Sequence, residues 1–294
     1  MGDKSMIRPE LERRFELIEW RVFWQGRVNR YELEERFEIS AGQASADLAA
    51  YQEAAPGNIE YDKTQKAFLP RRSFKPRFLT VSADRYLAQL NAIQNNVVTV
   101  LDTWFGSPPP AAVMPALHTV DPSVLQRTLE ALRRLGAISV EYQSLTNTRR
   151  RKIAPHALAF DGYRWHVRAW CLDRKEFRDF VLTRMNSVGE VEGFDTNAMK
   201  DIEWQHTVDL KIVPHPKLSE AQQDAVARDF GMINGKRILP AIRIALAYYV
   251  IKRLNLDLDL EEIPPERKQI FLANKEEVEL KRQEAKARTK LLLG

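Results

Sequence analysis

The chain has 294 residues, about twice the usual single-domain length, so two or three domains are expected rather than one core. Apolar residues make up 44% and charged residues 29%, a globular composition that excludes a mostly disordered, collagen-like or repetitive chain. Lys+Arg 45 against Asp+Glu 40 leaves a net charge of +5, which permits an anionic partner without demanding one. No apolar run approaches the roughly 20 residues of a membrane span, and the first ten residues lack the apolar stretch of a secretory signal. The single cysteine, Cys171, excludes an intramolecular disulfide and a thiolate zinc site. A cytoplasmic protein held by packing, with no cofactor and no membrane partner, is expected.

From Pro9 to Trp24, Leu11, Phe15, Ile18 and Val22 recur at helical spacing, and Gly26 suits the helix end. Asn29 can cap a second helix through Phe37, and Ser40 a third from Ala41 to Ala54. The third helix turns Ala44, Leu48 and Tyr51 inward and Gln43, Ser45, Ala46 and Asp47 outward. Two short β-type runs, Asn58 to Tyr61 and Lys66 to Leu69, form a hairpin around Asp62-Lys63-Thr64-Gln65. A Pro-punctuated basic stretch from Pro70 to Arg77 reads as a linker, and Asp84 to Phe105 reads as one helix ending at Gly106. Beyond Pro108-Pro109-Pro110, an amphipathic helix from Pro122 to Leu135 carries Leu125, Leu129, Leu132 and Leu135 and is terminated by Gly136.

The period then changes to two. Ala137 to Tyr142, Lys152 to Phe160, Tyr163 to Asp173 and Glu176 to Met185 read as consecutive strands joined by tight turns, which implies a bent antiparallel sheet or barrel. The last third reads as strand 208–213, helix 219–230, strand 237–242 and helix 245–254, a βαβα order belonging to an α+β module, followed by a charged helix from Pro264 to Lys290. Tyr248, Tyr249 and Leu254 serve equally well as an interface stripe or as core.

Helix, helix, capped helix and hairpin within about seventy residues is the layout of a winged helix-turn-helix, whose second helix of the pair enters the major groove. The alternative is a three-helix packing module that never meets DNA. Ile39-Ser40-Ala41-Gly42-Gln43-Ala44-Ser45-Ala46-Asp47-Leu48 resembles the recognition helix of DeoR-like regulators. There Ser40 caps, Gly42 admits close backbone approach, Gln43 suits an adenine edge and Ser45 a base or phosphate, while Arg21, Arg27, Arg30, Lys63 and Lys66 are placed for phosphates.

In the strand region, Arg168, Arg178 and Arg184 interrupt apolar runs, and an arginine there must either reach solvent or line a wet cavity. The stretch from Arg149 to Cys171, followed by Glu176 to Met185, is similar to a WYL domain, with Trp165-His166-Val167 standing where that family carries Trp-Tyr-Leu. The resemblance implies an Sm-like β-barrel and a site for an anionic or nucleotide effector, with Arg168, Arg178 and Arg184 holding the anion and Ser144, His156 and His166 orienting it.

Catalytic signatures are missing. The five histidines show no metal-ligand spacing, Cys171 lies in an apolar strand beside Trp170, and no Walker A loop, dinucleotide fingerprint or G-x-S-x-G elbow occurs, so neither a metal site nor an enzyme is expected. The order of parts resembles the WYL transcription regulators of bacterial phage-defence islands, the BrxR/CapW type. That implies an α+β multidomain protein with a DNA-binding domain over 1–75, a helical linker over 76–120, a WYL sensing domain over 121–200 and a dimerisation module over 201–294. It further implies a homodimeric repressor of a defence operon, bound to a palindromic operator on double-stranded DNA and released by its effector. An RNA- or single-strand-binding protein that uses the Sm-like barrel directly is the competing expectation.

Overall fold

Pro9, in the first turn of α1 (Pro9–Gln25), needs no backbone donor there, and Gly26 ends the helix in the left-handed conformation at φ 75°. In α2 (Arg30–Phe37) Asn29 and Glu32 form a reciprocal capping box, and in α3 (Ala41–Ala54) the Ser40 hydroxyl accepts from the Gln43 backbone N–H at 3.2 Å. Phe15, Ile18, Leu33, Leu48 and Tyr51 from the three helices share one core. The hairpin β1 (Ile59–Asp62) and β2 (Ala67–Pro70) turns where Asp62 Oδ1 accepts from Thr64 and Gln65 N–H at 2.7 and 2.8 Å, and a Val28–Phe68 bridge ties it to the turn before α2. The computed structural model describes residues 8–115, 118–194, 197–258 and 263–293. The chain divides into two units, Met1–Leu117 and His118–Gly294.

The single helix expected from Asp84 to Phe105 is shorter. α4 (Ala83–Gln94) stops at Asn95, Asn96 turns left-handed at φ 55°, and only a 3-10 turn over Val100–Asp102 follows. The β-branched run Val97-Val98-Thr99 after an Asn pair favours this exit over another helical turn. Trp104 and Phe105 instead fold back with Leu17, Trp20 and Leu90 into a second core, where Trp20 stacks on Tyr86 at 5.7 Å.

In the second unit, α5 (Pro122–Arg134) buries Val124, Thr128 and Ala131, whereas the sequence pointed to the neighbouring leucine row; Leu135 is exposed. The left-handed cap falls on Leu135 (φ 50°), and Gly136 opens the next strand instead of ending the helix. A Cβ at Gly136 would lie 2.6 Å from the Glu192 carbonyl oxygen, so the glycine serves close strand approach.

The strands β3 (Gly136–Gln143), β4 (Thr148–Phe160), β5 (Trp165–Cys171), β6 (Glu176–Val181) and β7 (Met185–Gly193) form an antiparallel sheet in the order β6-β5-β4-β3-β7. No sheet among the described residues closes, so an open five-stranded sheet stands where an Sm-like barrel was expected. β7 escaped the sequence reading because Asn186, Ser187, Gly189 and Glu190 break its apolar run. Val140, Ile153, Val167, Ala169 and Cys171 pack one sheet face against α5.

Beyond the sheet, α6 (Ile202–Gln205), β8 (Thr207–Pro214), α7 (Glu220–Asp229), β9 (Arg237–Arg243), α8 (Ile244–Arg253), β10 (Ile270–Leu272) and α9 (Lys275–Leu293) form the expected α+β module around a three-stranded sheet ordered β10-β8-β9. Leu210, Ile212 and Ala247 are central in its core, and Val278 and Ala285 anchor α9 to it.

Candidate nucleic-acid interface and effector face

In the first half of α3 the exposed residues are Gly42, Gln43, Ser45 and Ala46. A Cβ at Gly42 would meet only Ser40 Oγ, at 3.9 Å, so the fold leaves the surface over the first turn bare. Asp47 corrects the sequence reading. It is buried, paired with Arg14 at 2.7 Å, and accepts from the Gln43 side-chain amide at 2.8 Å. Gln43 is thereby held along its own helix with its side-chain oxygen free of that bond. Ser45 Oγ donates to the Ala41 carbonyl at 2.9 Å, which leaves its lone pairs outward.

Arg30, Ser45 and Lys66 border one open groove of about 480 Å³ between α2, α3 and the hairpin, together with Tyr31 and Tyr61. These two tyrosines, 64% and 52% exposed, were not read from the sequence as interface residues, Tyr31 being assigned to the apolar set of the second helix; large aromatics left in solvent beside cations are the feature that marks them. Arg30 pairs with Glu34 at 2.6 Å, Lys63 is exposed in the hairpin turn, and Arg27 is exposed before Val28. Arg21 is not available to a phosphate: it is buried, hydrogen-bonded to Gln25 at 3.0 Å, and burial, opposed by Glu32, lowers its pKa.

The stretch expected to be a linker is held by a carboxylate that sequence reasoning passed over. Glu19, fully buried in α1, accepts from the backbone N–H groups of Arg77, Phe78 and Leu79 at 2.7 to 3.0 Å and from the Tyr51 hydroxyl at 2.9 Å. Burial first, and then Glu19's charge and hydrogen bond, push the Tyr51 hydroxyl pKa far up, so it stays a donor. A glutamate set between Ile18 and Trp20 in the apolar stretch of α1 was the available signal.

On the sheet, the six candidate effector residues do not all converge: His156 and Arg168 meet at Asp201, and Arg168 and Arg178 border one cleft that Ser144, His166 and Arg184 do not line. Ser144 is occupied inside the β3–β4 turn, where it donates to the Asn147 carbonyl at 2.8 Å. His166 is buried on Asp161 at 2.8 Å, and Arg184 lies in a 3-10 turn after β6 with no polar partner among the described residues. The β5–β6 register sets Arg168 opposite Asp179 and Arg178 opposite Ala169, so the two arginines leave opposite faces of the sheet. Arg178 is exposed and paired with Glu176 at 3.2 Å.

Arg168 is buried and fully met by acids. Its Nε and Nη2 donate to the two Asp201 oxygens at 2.7 and 2.9 Å, and Asp179 and Glu203 each lie 3.4 Å away. Burial opposes its charge, but the Asp201 hydrogen bonds and the Asp179, Asp201 and Glu203 charges outweigh it and raise its pKa. His156, in the bulge of β4 between Pro155 and Ala157, reaches the same Asp201 at 3.0 Å, and Tyr249 of α8 donates to Asp179 at 3.0 Å. One arginine among three carboxylates is not an anion-binding cluster; it clamps the sheet to the segment around α6 and to α8.

Among the described residues no helix is long and apolar enough to cross a membrane. Three family models match in succession: the BrxR transcriptional regulator winged helix-turn-helix domain over residues 10–92, the WYL domain over 123–189, and the BrxR transcriptional regulator C-terminal dimerization domain over 207–278. The DNA-binding transcriptional repressor CapW of Escherichia coli (strain KTE188) is 36% identical over 270 residues, 91% of this chain and 90% of that protein. The chain belongs to the BrxR/CapW family. CapW repressors of Stenotrophomonas maltophilia, 35% identical with 93% of each chain covered, and of Pseudomonas aeruginosa, 37% identical with 91% of this chain and 90% of that one, are similarly related. The proteasome accessory factor B/C (PafBC) of Arthrobacter aurescens, a solved structure, is similar at 15% identity and a TM-score of 0.28 over 87% of this chain and 48% of that one, a likeness too low to carry an argument. The three matched segments of this BrxR/CapW chain fall on the winged helix, the five-stranded sheet and the C-terminal module.

Proposed function

We propose that the chain is a sequence-specific DNA-binding transcriptional repressor acting as a homodimer on a palindromic operator of a phage-defence operon. The observation that carries this reading is α3: capped by Ser40, bare over Gly42, and flanked on one groove by Arg30 and Lys66. A single helix per chain reads too few base pairs for genomic specificity, and two-fold symmetry supplies the second half-site. In this reading residues 1–75 bind DNA, with Arg27, Arg30, Lys63 and Lys66 on phosphates and Gln43 and Ser45 on base edges. Residues 121–200 sense an anionic effector and 201–294 hold the dimer. Repressor relatives covering nine-tenths of the chain support it. The competing RNA-binding expectation needs a closed Sm-like barrel, and no observation favours it.

Footprinting on the upstream region of the adjoining operon tests the proposal. Symmetric protection of an inverted repeat by a protein sedimenting as a dimer is expected; preference for single strands over duplex would overturn it.

A further inference from the structure

A cleft of about 450 Å³ opens on the winged helix beside the α2–α3 turn, between the start of α1, the end of α2 and the segment that carries Trp104. Phe37, Ile39 and the buried Trp104 give it apolar walls. Its rim carries Glu10 and Arg13 of α1 and Arg36 and Glu38 around the end of α2, and none of these four side chains is ion-paired or hydrogen-bonded among the described residues. Two cations and two carboxylates that share a rim without pairing one another suit a ligand that carries both signs. A simple anion leaves the two acids unmet, and a simple cation leaves the two arginines unmet. Arg14 also borders the cleft, but its charge is already met by Asp47 at 2.7 Å.

We infer that this cleft binds an apolar α-amino acid as its zwitterion, the carboxylate on Arg13 and Arg36, the ammonium on Glu10 and Glu38, and the side chain against Phe37, Ile39 and Trp104. The volume falls within the roughly 300–1,000 Å³ of small-molecule sites, whose usual make-up is apolar walls with a few orienting polar groups. The site lies wholly within the winged helix and is separate from the sheet over residues 121–200. Arg14 connects it to α3: Asp47, which holds Arg14, also accepts from the Gln43 side-chain amide at 2.8 Å. A ligand carboxylate beside Arg14 competes with Asp47 for that guanidinium and loosens Gln43, so the ligand lowers operator affinity. This consequence, unlike the site itself, rests on the operator-binding repressor proposed above.

Calorimetry on the full chain without DNA tests the site, with L-phenylalanine and L-leucine as probes and 3-phenylpropionate and phenethylamine as analogues that each lack one charge. Both amino acids are expected to bind, and each analogue to bind weaker than phenylalanine by about tenfold or more, because a site that pairs a polar group rejects a ligand without it. Arg13→Gln and Glu38→Gln, both at exposed positions, should each weaken phenylalanine binding by about tenfold and leave the thermal midpoint unchanged. No amino-acid binding at millimolar concentration, an analogue as tight as phenylalanine, or full affinity in either variant overturns the site. Operator affinity with and without phenylalanine then reads the Arg14 connection. A fall on the operator but not on random duplex supports it, and unchanged operator affinity despite measured binding sinks it. A wild type that binds phenylalanine but no operator in either condition counts against the repressor reading and not against the site.

Discussion

Arg168 on β5 and Asp201 ahead of α6, thirty-three residues apart in sequence, share two hydrogen bonds of 2.7 and 2.9 Å with the Asp201 side chain wholly out of solvent. This pair joins the sheet to the C-terminal module. Asp201→Ala leaves Arg168 and His156 without their shared acceptor, and removing one partner of a buried pair costs roughly 3–5 kcal/mol. Urea unfolding at neutral pH should show that loss, whereas Glu203→Ala, which removes a more distant and partly exposed partner, should cost far less.

The same pair sets an acid limit. Burial opposes ionisation of Asp201, but hydrogen bonds from Arg168 and His156 prevail and hold its pKa below the ordinary carboxylate range. A depressed folded-state pKa gives stability that is present above the unfolded value, about 3.9, and lost as pH falls through the folded one. The urea midpoint of the wild type should therefore drop more steeply below about pH 4 than that of Asp201→Asn, and parallel acid limbs would contradict the assignment.

Glu19 closes four donors at once, three backbone N–H groups and one hydroxyl. Glu19→Ala strands them in the interior at roughly 1–3 kcal/mol for each buried group left unsatisfied. Glu19→Gln keeps one acceptor and should fall between. Hydrogen exchange at Phe78 and Leu79 amides reads the effect directly: both should lose protection in Glu19→Ala before the α1–α3 core does.

On the interface, Lys63→Ala should weaken binding to every duplex and reduce the slope of log affinity against log salt by about 0.9. Gln43→Ala should cost roughly 1–3 kcal/mol on the operator and little on random duplex. Equal losses on both duplexes would remove Gln43 from base reading and assign it to packing against Asp47.

Gly136→Ala places a methyl group 2.6 Å from the Glu192 carbonyl oxygen and from Val191 Cγ1. Overpacking of backbone against backbone costs about 1–3 kcal/mol, so the thermal midpoint should fall even though alanine is a better strand residue in general.

Local chemistry was legible in the sequence. The caps at Asn29 and Ser40, the left-handed stop at Gly26, the Asp62 turn and the strands β3 to β6 were readable, because each depends on neighbours within a few residues, and so were the winged helix and the α+β module; β7 and β10, the latter inside the stretch read as a helix from Pro264, were not. Only the tertiary structure decided what each buried charge meets. Arg168 looked like a ligand-seeking cation because Asp201 comes from outside the strands and Asp179 becomes its neighbour only through the β5–β6 register. Asp47 looked like a solvated helix residue, and Glu19 went unread, until Arg14 and the backbone of residues 77–79 arrived to satisfy them. Whether the strands close into a barrel was likewise beyond a periodicity of two, since alternation specifies faces but not which edges pair. A charge is cheap in water and costly in an interior, so its meaning depends on partners that the chain brings together only by folding.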